Sequence, residues 1–156
     1  MVFDIGSFGL AGRVALVTGA TRGLGRAMVD GFARAGADVI VASRNADACA
    51  RVAAEVEEQT GRAALACPAH VGHWPELDGL VDAAYERFGR VDVLVNNAGM
   101  SPLYGAVDEI SEDLFDKVIA VNLKGPFRLA ALVGTRMAAS SGGSIINISS
   151  AGAVHP

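Results

Sequence analysis

The stretch Thr18–Gly25, which reads TGATRGLG, joins a short apolar run to a segment of helical period and decides the fold. The run before it, residues 13–18 (RVALVT), is nearly all apolar, which is typical of a parallel strand buried on both faces. Residues 24–35 are predicted to form a helix that Gly36 ends. Three glycines between a buried strand and a helix predict a tight βα turn with little side-chain bulk.

The same alternation of short strands and longer helices continues along the chain. Further strands are predicted at residues 38–43, 62–67, 91–96 and 144–148, and further helices at 46–59, 75–88 and 111–140. Asn45 and Ser111 are expected to be N-caps of two of these helices. We therefore predict one α/β domain over residues 1–156, a Rossmann-type doubly wound parallel sheet truncated after its fifth strand.

The glycine turn has the composition of a phosphate-binding turn. Gly19 permits a tight turn off the strand, Gly23 permits close approach of a pyrophosphate, and Gly25 permits the helix to pack near the strand. The helix N-terminus adds unpaired N–H groups and the positive end of a dipole. A turn without a ligand is the alternative, but its place between strand and helix favours dinucleotide binding. Further candidate cofactor contacts in the same turn are Thr21, Arg22 and Leu24.

Composition and charge narrow the classes of partner. The 156 residues are 51% hydrophobic and 19% charged, which is typical of a globular protein. A net charge of −4 argues against a nucleic-acid partner, and two cysteines are too few for a disulfide framework. Residues 1–12 do not resemble a signal peptide, and no uninterrupted apolar run is long enough for a membrane helix. We expect a soluble, cytoplasmic protein with no metal, nucleic-acid or membrane partner.

Four motifs, in one order, resemble the short-chain dehydrogenase/reductase family. They are TGxxxGxG at Thr18–Gly25, NNAG at residues 96–99, Asn122 within residues 121–125 (VNLKG), and residues 143–150 (GSIINISS). The resemblance covers nearly the whole chain and matches the N-terminal portion of the family's domain. It implies an NAD(P)-dependent oxidoreductase that transfers hydride between nicotinamide and a carbonyl or secondary alcohol.

The resemblance also implies roles for individual residues. Ser150 matches the family's catalytic serine, which hydrogen-bonds the reacting oxygen, and Asn122 matches the asparagine that holds a water. Asn97, Ala98 and Gly99 of NNAG are expected to contact the cofactor. Without these motifs, Ser150 would be interpreted as a turn residue and Asn122 as a helix residue that bonds a neighbouring backbone group.

The family's Tyr-x-x-x-Lys motif, whose tyrosine is the general acid/base, is expected beyond Pro156, where the sequence ends. Neither Tyr85 nor Tyr104 is a substitute, so we expect a fragment of a longer enzyme, incomplete for catalysis as it stands. One alternative is a short protein that binds a dinucleotide without turning it over. Another is an assembly pseudo-enzyme. In the family the long helix helps to form the oligomer interface, so we expect a homo-oligomer through helix 111–140.

The end of the second predicted strand bears on the choice of cofactor. An NAD-binding unit places Asp or Glu there, whereas this chain has Ser43, Arg44 and Asn45. Arg44 can pair with a 2′-phosphate, and Arg22 lies where NADP-preferring family members often carry a second basic residue. We predict a preference for NADP, with NAD as the alternative cofactor and solvated loop residues as the alternative role of both arginines.

The third predicted strand departs from the family pattern at its end. The family usually carries Asp-Val there, with the Asp holding the adenine amino group, whereas this chain has His70 and Val71. Val71 is expected to contact the adenine. His70 is interpreted as either an adenine contact or a bystander, and it lacks partners at metal-ligand spacing.

Overall fold

A computed structural model of the chain describes residues 9–150. Residues 1–8 and 151–156 of the predicted domain lie outside the described residues. Five strands form one parallel sheet in the order β3-β2-β1-β4-β5. Their bounds are β1 Val14–Thr18, β2 Asp38–Ser43, β3 Ala64–Pro68, β4 Val93–Asn96 and β5 Ser144–Asn147. Because the chain runs outward from β1 to β3 and then returns to place β4 on the other side of β1, the predicted Rossmann-type fold is confirmed.

Within residues 9–150, five α-helices connect and cover the strands. Their bounds are α1 Gly23–Arg34, α2 Ala46–Thr60, α3 Trp74–Phe88, α4 Glu112–Ile119 and α5 Gly125–Ala138. Both predicted N-caps are confirmed. The Asn45 side chain accepts the N–H of Ala48 at 2.8 Å, and the Ser111 hydroxyl accepts the N–H of Leu114 at 3.2 Å.

The long helix differs from its prediction in one respect. A regular helix was expected over residues 111–140, but the π-helical turn Ala120–Lys124 separates α4 from α5, and α5 ends at Ala138. A pattern of apolar residues at helical spacing does not distinguish a π-turn from an α-helical turn, so this interruption was not predicted. Such π-turns are frequent at functional sites, and this one contains Asn122.

The core lies in two apolar clusters, one on each face of the sheet. Alternate side chains of β1 point to opposite faces, so Leu16 belongs to one cluster and Val17 to the other. The Leu16 cluster packs against α3 and α5, and the Val17 cluster packs against α1 and α2. This three-layer packing holds the carboxyl ends of the parallel strands side by side at one edge.

The helix from residue 112 to 138, including its π-turn, is unusual in composition. It has 27 residues, its most apolar 18-residue window has a mean hydropathy of 1.2, and by length and composition alone it could cross a membrane. The same composition occurs in helices that cover a core, and α5 buries Leu129, Val133 and Met137 against the sheet. Only 17% of its most apolar window is buried, so much of its apolar surface faces outward.

Asp92 lies at the amino ends of the strands, where it joins β1 to β4. It is a buried carboxylate, 5% exposed. It accepts hydrogen bonds from Arg13 at 2.8 Å, from the Val14 N–H at 2.9 Å and from the Arg90 Nε at 2.8 Å. Burial by itself would raise the pKa of this carboxyl, but the bonds from Arg90, Arg13 and Val14 outweigh burial and lower the pKa.

We expect Asp92→Asn to lower the free energy of unfolding by about 2 kcal/mol at neutral pH, because charge-assisted bonds to a buried group are lost. Since the pKa is lowered in the folded state, the carboxylate stabilises the fold fully above about pH 5. That contribution declines as the pH falls below the ordinary value of 3.8 and through the folded pKa. Urea denaturation of wild type and variant at a series of pH values measures it.

Asp113→Asn is the matched control, since its side chain is 75% exposed and pairs only with Lys117 on its own helix. It should change the free energy of unfolding by less than about 0.5 kcal/mol. A difference between wild type and the Asp92 variant that does not vary with pH would contradict the pKa direction.

Candidate dinucleotide-binding site

The turn between β1 and α1 depends on a close approach that only glycine permits. A Cβ on Gly25 would lie 2.2 Å from the carbonyl oxygen of Gly19, so a larger residue would push the helix away from the strand. Gly23 has a φ of +55°, in the left-handed region, and no atom lies within 4 Å of where its Cβ would be. The turn is therefore closed on the side of the sheet and open on the side of Gly23.

The start of α1 is open as well. Arg22 is the N-cap residue, yet its side chain makes no capping bond, and no acidic residue lies in the first turn. The N-termini of α2 and α4 are instead capped by Asn45 and Ser111. In the described part of the chain, no side chain thus satisfies the first N–H groups of α1. Together with the open side of Gly23, this arrangement fits a pyrophosphate.

Thr18 connects the turn to the NNAG motif, a link that the sequence analysis missed. Its buried hydroxyl accepts the N–H groups of Asn97 and Ala98, each at 3.0 Å. The Asn97 side chain donates to the carbonyl oxygen of Thr18 at 2.8 Å. The only signal in the sequence is a polar residue at the end of an otherwise apolar strand. These bonds hold Gly19, Asn97 and Ala98 together at the ends of β1 and β4.

A second link ties the turn to β2. The Thr21 hydroxyl donates to the Ser43 hydroxyl at 3.1 Å. Arg22 and Arg44 follow these two residues and are exposed, as is Leu24, which is 70% exposed. The structure therefore brings both predicted arginines to neighbouring strand ends, beside the open turn.

The loop after β3 completes this edge. Val71 is buried, and a Cβ on Gly125 would lie 2.2 Å from its carbonyl oxygen, so the loop packs directly on the start of α5. Gly125 was not predicted to matter, and its only signal is a glycine within a helical pattern. His70 precedes this anchor, and its pKa is lowered by burial and by the nearby charges of His73 and Arg44.

The two residues assigned catalytic roles by resemblance lie at the same edge. Asn122, on the π-turn, accepts the N–H of Met100 at 2.9 Å and donates to its carbonyl oxygen at 2.8 Å. It thereby holds the chain just after Gly99. Ser150 is exposed and follows β5, the strand next to β4. Both roles stay predictions, and the backbone group that Asn122 bonds lies 22 residues away rather than in its own helix.

Within residues 9–150, no group of three or more His, Cys, Asp or Glu side chains is arranged to hold a metal ion.

Comparison with known proteins decides the family. The sequence profile of the family described as short chain dehydrogenase matches residues 13–156. The chain belongs to the short-chain dehydrogenase family. A short chain dehydrogenase/reductase of Aspergillus oryzae, astE, is 42% identical over 145 residues, which are 92% of this chain and 56% of that protein.

Two solved structures of the family have the same fold. L-sorbose reductase from Gluconobacter frateurii, complexed with NADPH and L-sorbose, has a TM-score of 0.91 and 31% identity, covering 95% of this chain and 56% of its own. A 7α-hydroxysteroid dehydrogenase, complexed with NADH and 7-oxo glycochenodeoxycholic acid, has a TM-score of 0.90 and 35% identity, covering 99% and 59%. This short-chain dehydrogenase chain spans about half the length of these relatives.

We expect Gly25→Ala to lower the free energy of unfolding by about 2 kcal/mol, because the added methyl group collides with the Gly19 carbonyl. Gly31→Ala is the matched control in the same helix, since nothing lies within 4 Å of its added Cβ. It should raise the free energy of unfolding by about 0.5–1 kcal/mol, as expected from helix propensity. Urea denaturation measures both. Equal effects of the two substitutions would contradict the close approach at Gly25.

Proposed function

We propose that this chain is the cofactor-binding part of an NADP-preferring oxidoreductase that transfers hydride between nicotinamide and a carbonyl or secondary alcohol. The observation that carries the proposal is the Thr21–Ser43 hydrogen bond of 3.1 Å. It links the residues that precede Arg22 and Arg44, so both arginines follow neighbouring strand ends beside a turn whose N–H groups are open. The open N–H groups suit a diphosphate, and the two arginines suit a 2′-phosphate.

The charge environment of the two arginines supports NADP over NAD. Several arginines form ion pairs: Arg26 pairs with Asp30 and Glu55, and Arg62 pairs with Asp38. Within the described residues, neither Arg22 nor Arg44 forms an ion pair with a carboxylate. No carboxylate ends β2, so the usual acceptor for the ribose 2′-hydroxyl of NAD is missing. Relatives of this fold have been solved with NADPH and with NADH.

The bound nicotinamide supplies or accepts the hydride, and the residues of this chain bind and orient the reactants. Thr18 holds the NNAG backbone against the glycine turn, and Asn122 holds the segment that follows it. Ser150 is proposed to donate its hydroxyl hydrogen to the reacting oxygen and so to orient the carbonyl or alcohol.

We expect Arg44→Asp to weaken NADPH binding by at least about tenfold and to change NADH binding by much less, because only NADPH carries the 2′-phosphate. Titration of NADPH and NADH fluorescence against the protein measures the two dissociation constants.

Arg34→Asp is the matched control. It makes the same change of net charge at an exposed arginine at the end of α1, far along the helix from the glycine turn. It should leave the ratio of the two dissociation constants unchanged. If Arg44→Asp weakened both cofactors equally, the NADP assignment would be wrong. If the wild-type chain bound neither, the proposed function itself would fail.

A role in assembly is favoured by a second observation, the exposed apolar surface of the long helix. Phe115, Leu123 and Phe127 are 58%, 59% and 64% exposed. Trp74 and Phe127 line an open groove of about 650 Å³ at the start of α5. Apolar surface of this kind marks an interaction site, and we propose that it packs against a second copy of the chain.

We therefore expect the wild-type chain to form a dimer or larger oligomer in size-exclusion chromatography with light scattering. Phe127→Glu should yield monomers, because a charge would have to be buried in the contact. Leu103→Glu is the control, since Leu103 is fully exposed in a loop outside this helix, and it should elute as wild type does. A monomeric wild type, or a Phe127 variant with the wild-type mass, would overturn the assembly proposal.

A further inference from the structure

We propose that His70 selects the base of the cofactor by donating a hydrogen bond from its Nε2–H, so that the site recognises an acceptor on the purine. The family's usual carboxylate at this position would accept from the adenine amino group instead. The inference rests on the proposed function, since it requires a dinucleotide whose pyrophosphate lies in the glycine turn.

The register of the sheet places His70 at the end of β3, next to the end of β2, where the base of a bound dinucleotide would lie. Ser43, at the end of β2, pairs with Pro68, and its carbonyl oxygen accepts the N–H of Ala69 at 3.0 Å. His70 is the next residue. A dinucleotide that runs outward from the turn after β1 has its ribose at the end of β2. Its base therefore reaches the end of β3, where His70 lies.

The protonation of the His70 ring follows from its contacts. The Gly72 N–H donates to Nδ1 at 3.0 Å, so Nδ1 carries a lone pair and the proton of the neutral ring is on Nε2. Burial and the electrostatic effects of His73 and Arg44 lower the pKa of His70, while Glu76 opposes them. The ring is thus a neutral donor at pH 7. Nε2 has no hydrogen-bond partner among residues 9–150.

The neighbouring residues also fix the orientation of the ring. His70 stacks on His73, with ring centroids 4.2 Å apart and planes at 16°. The Glu76 carboxylate accepts the backbone N–H of His70 at 2.7 Å and bonds the His73 ring at 2.7 Å. A Cβ on Gly72 would lie 3.0 Å from the His70 Cε1, so glycine at this position leaves space for the ring. A ring flip would put a carbon in the place of Nδ1 and leave the Gly72 N–H without this hydrogen-bond acceptor.

The chemistry of the purine provides the test. Adenine carries an amino donor at position 6, whereas hypoxanthine carries a carbonyl acceptor there, and both keep the N7 acceptor. A donor at His70 can bond the hypoxanthine carbonyl at least as well as any acceptor of adenine. A carboxylate in the same place accepts from the amino group and repels the carbonyl.

The experiment titrates the wild-type chain with NADPH and with reduced nicotinamide hypoxanthine dinucleotide phosphate, using cofactor fluorescence. We expect wild type to bind the hypoxanthine form at least as tightly as NADPH. His70→Asp should reverse this order and favour NADPH by about tenfold, the effect of one charge-assisted hydrogen bond. Arg34→Asp introduces a carboxylate at an exposed position at the end of α1, away from His70, and its preference should stay that of wild type.

A wild-type chain that favours NADPH by tenfold would overturn the inference, and this ratio decides the matter even if His70→Asp does not fold. A folded His70→Asp variant with the wild-type ratio would overturn it as well. Failure of wild type to bind either dinucleotide would instead overturn the proposed function on which the inference rests.

Discussion

The site depends on the contact between the backbone of Gly25 and the carbonyl oxygen of Gly19. Because no Cβ separates them, α1 begins directly against the end of β1 and its first N–H groups face the edge of the sheet. With any larger residue the helix would start farther away and the turn would change shape. The open side of Gly23 and the missing side-chain cap at Arg22 have functional meaning only because this contact holds the helix in place.

Hydrogen bonds extend this arrangement across the sheet. The Thr18 hydroxyl joins the turn to Asn97 and Ala98 on one side, and Thr21 joins it to Ser43 on the other. These bonds therefore join the ends of three strands, β1, β2 and β4, into one structure. A dinucleotide lying along it would meet open N–H groups at its centre, arginines toward the ribose and a histidine at the base. This order follows the order of the strands β1, β2 and β3.

Local patterns predicted much of this structure. The strands lie within two residues of their predicted bounds, and Asn45 and Ser111 cap the helices as expected, because apolar period and capping chemistry are local properties. The π-turn around Asn122 and the packing of Gly125 on Val71 were not predicted. Thr18 was missed because its partners lie 79 and 80 residues away. The sequence predicted an adenine contact at His70 only as one of two alternatives. Whether its ring is a hydrogen-bond donor depends on the bond from the Gly72 N–H, which only the structure shows.

The most direct test of the central claim is a titration of the isotopically labelled chain with NADPH, followed by the chemical shifts of its backbone amides. We predict that the largest shifts occur at Gly23, Leu24 and Gly25, whose N–H groups would donate to the pyrophosphate, with further shifts at Arg44 and His70. Saturable binding that leaves the amides of the glycine turn unshifted would contradict it.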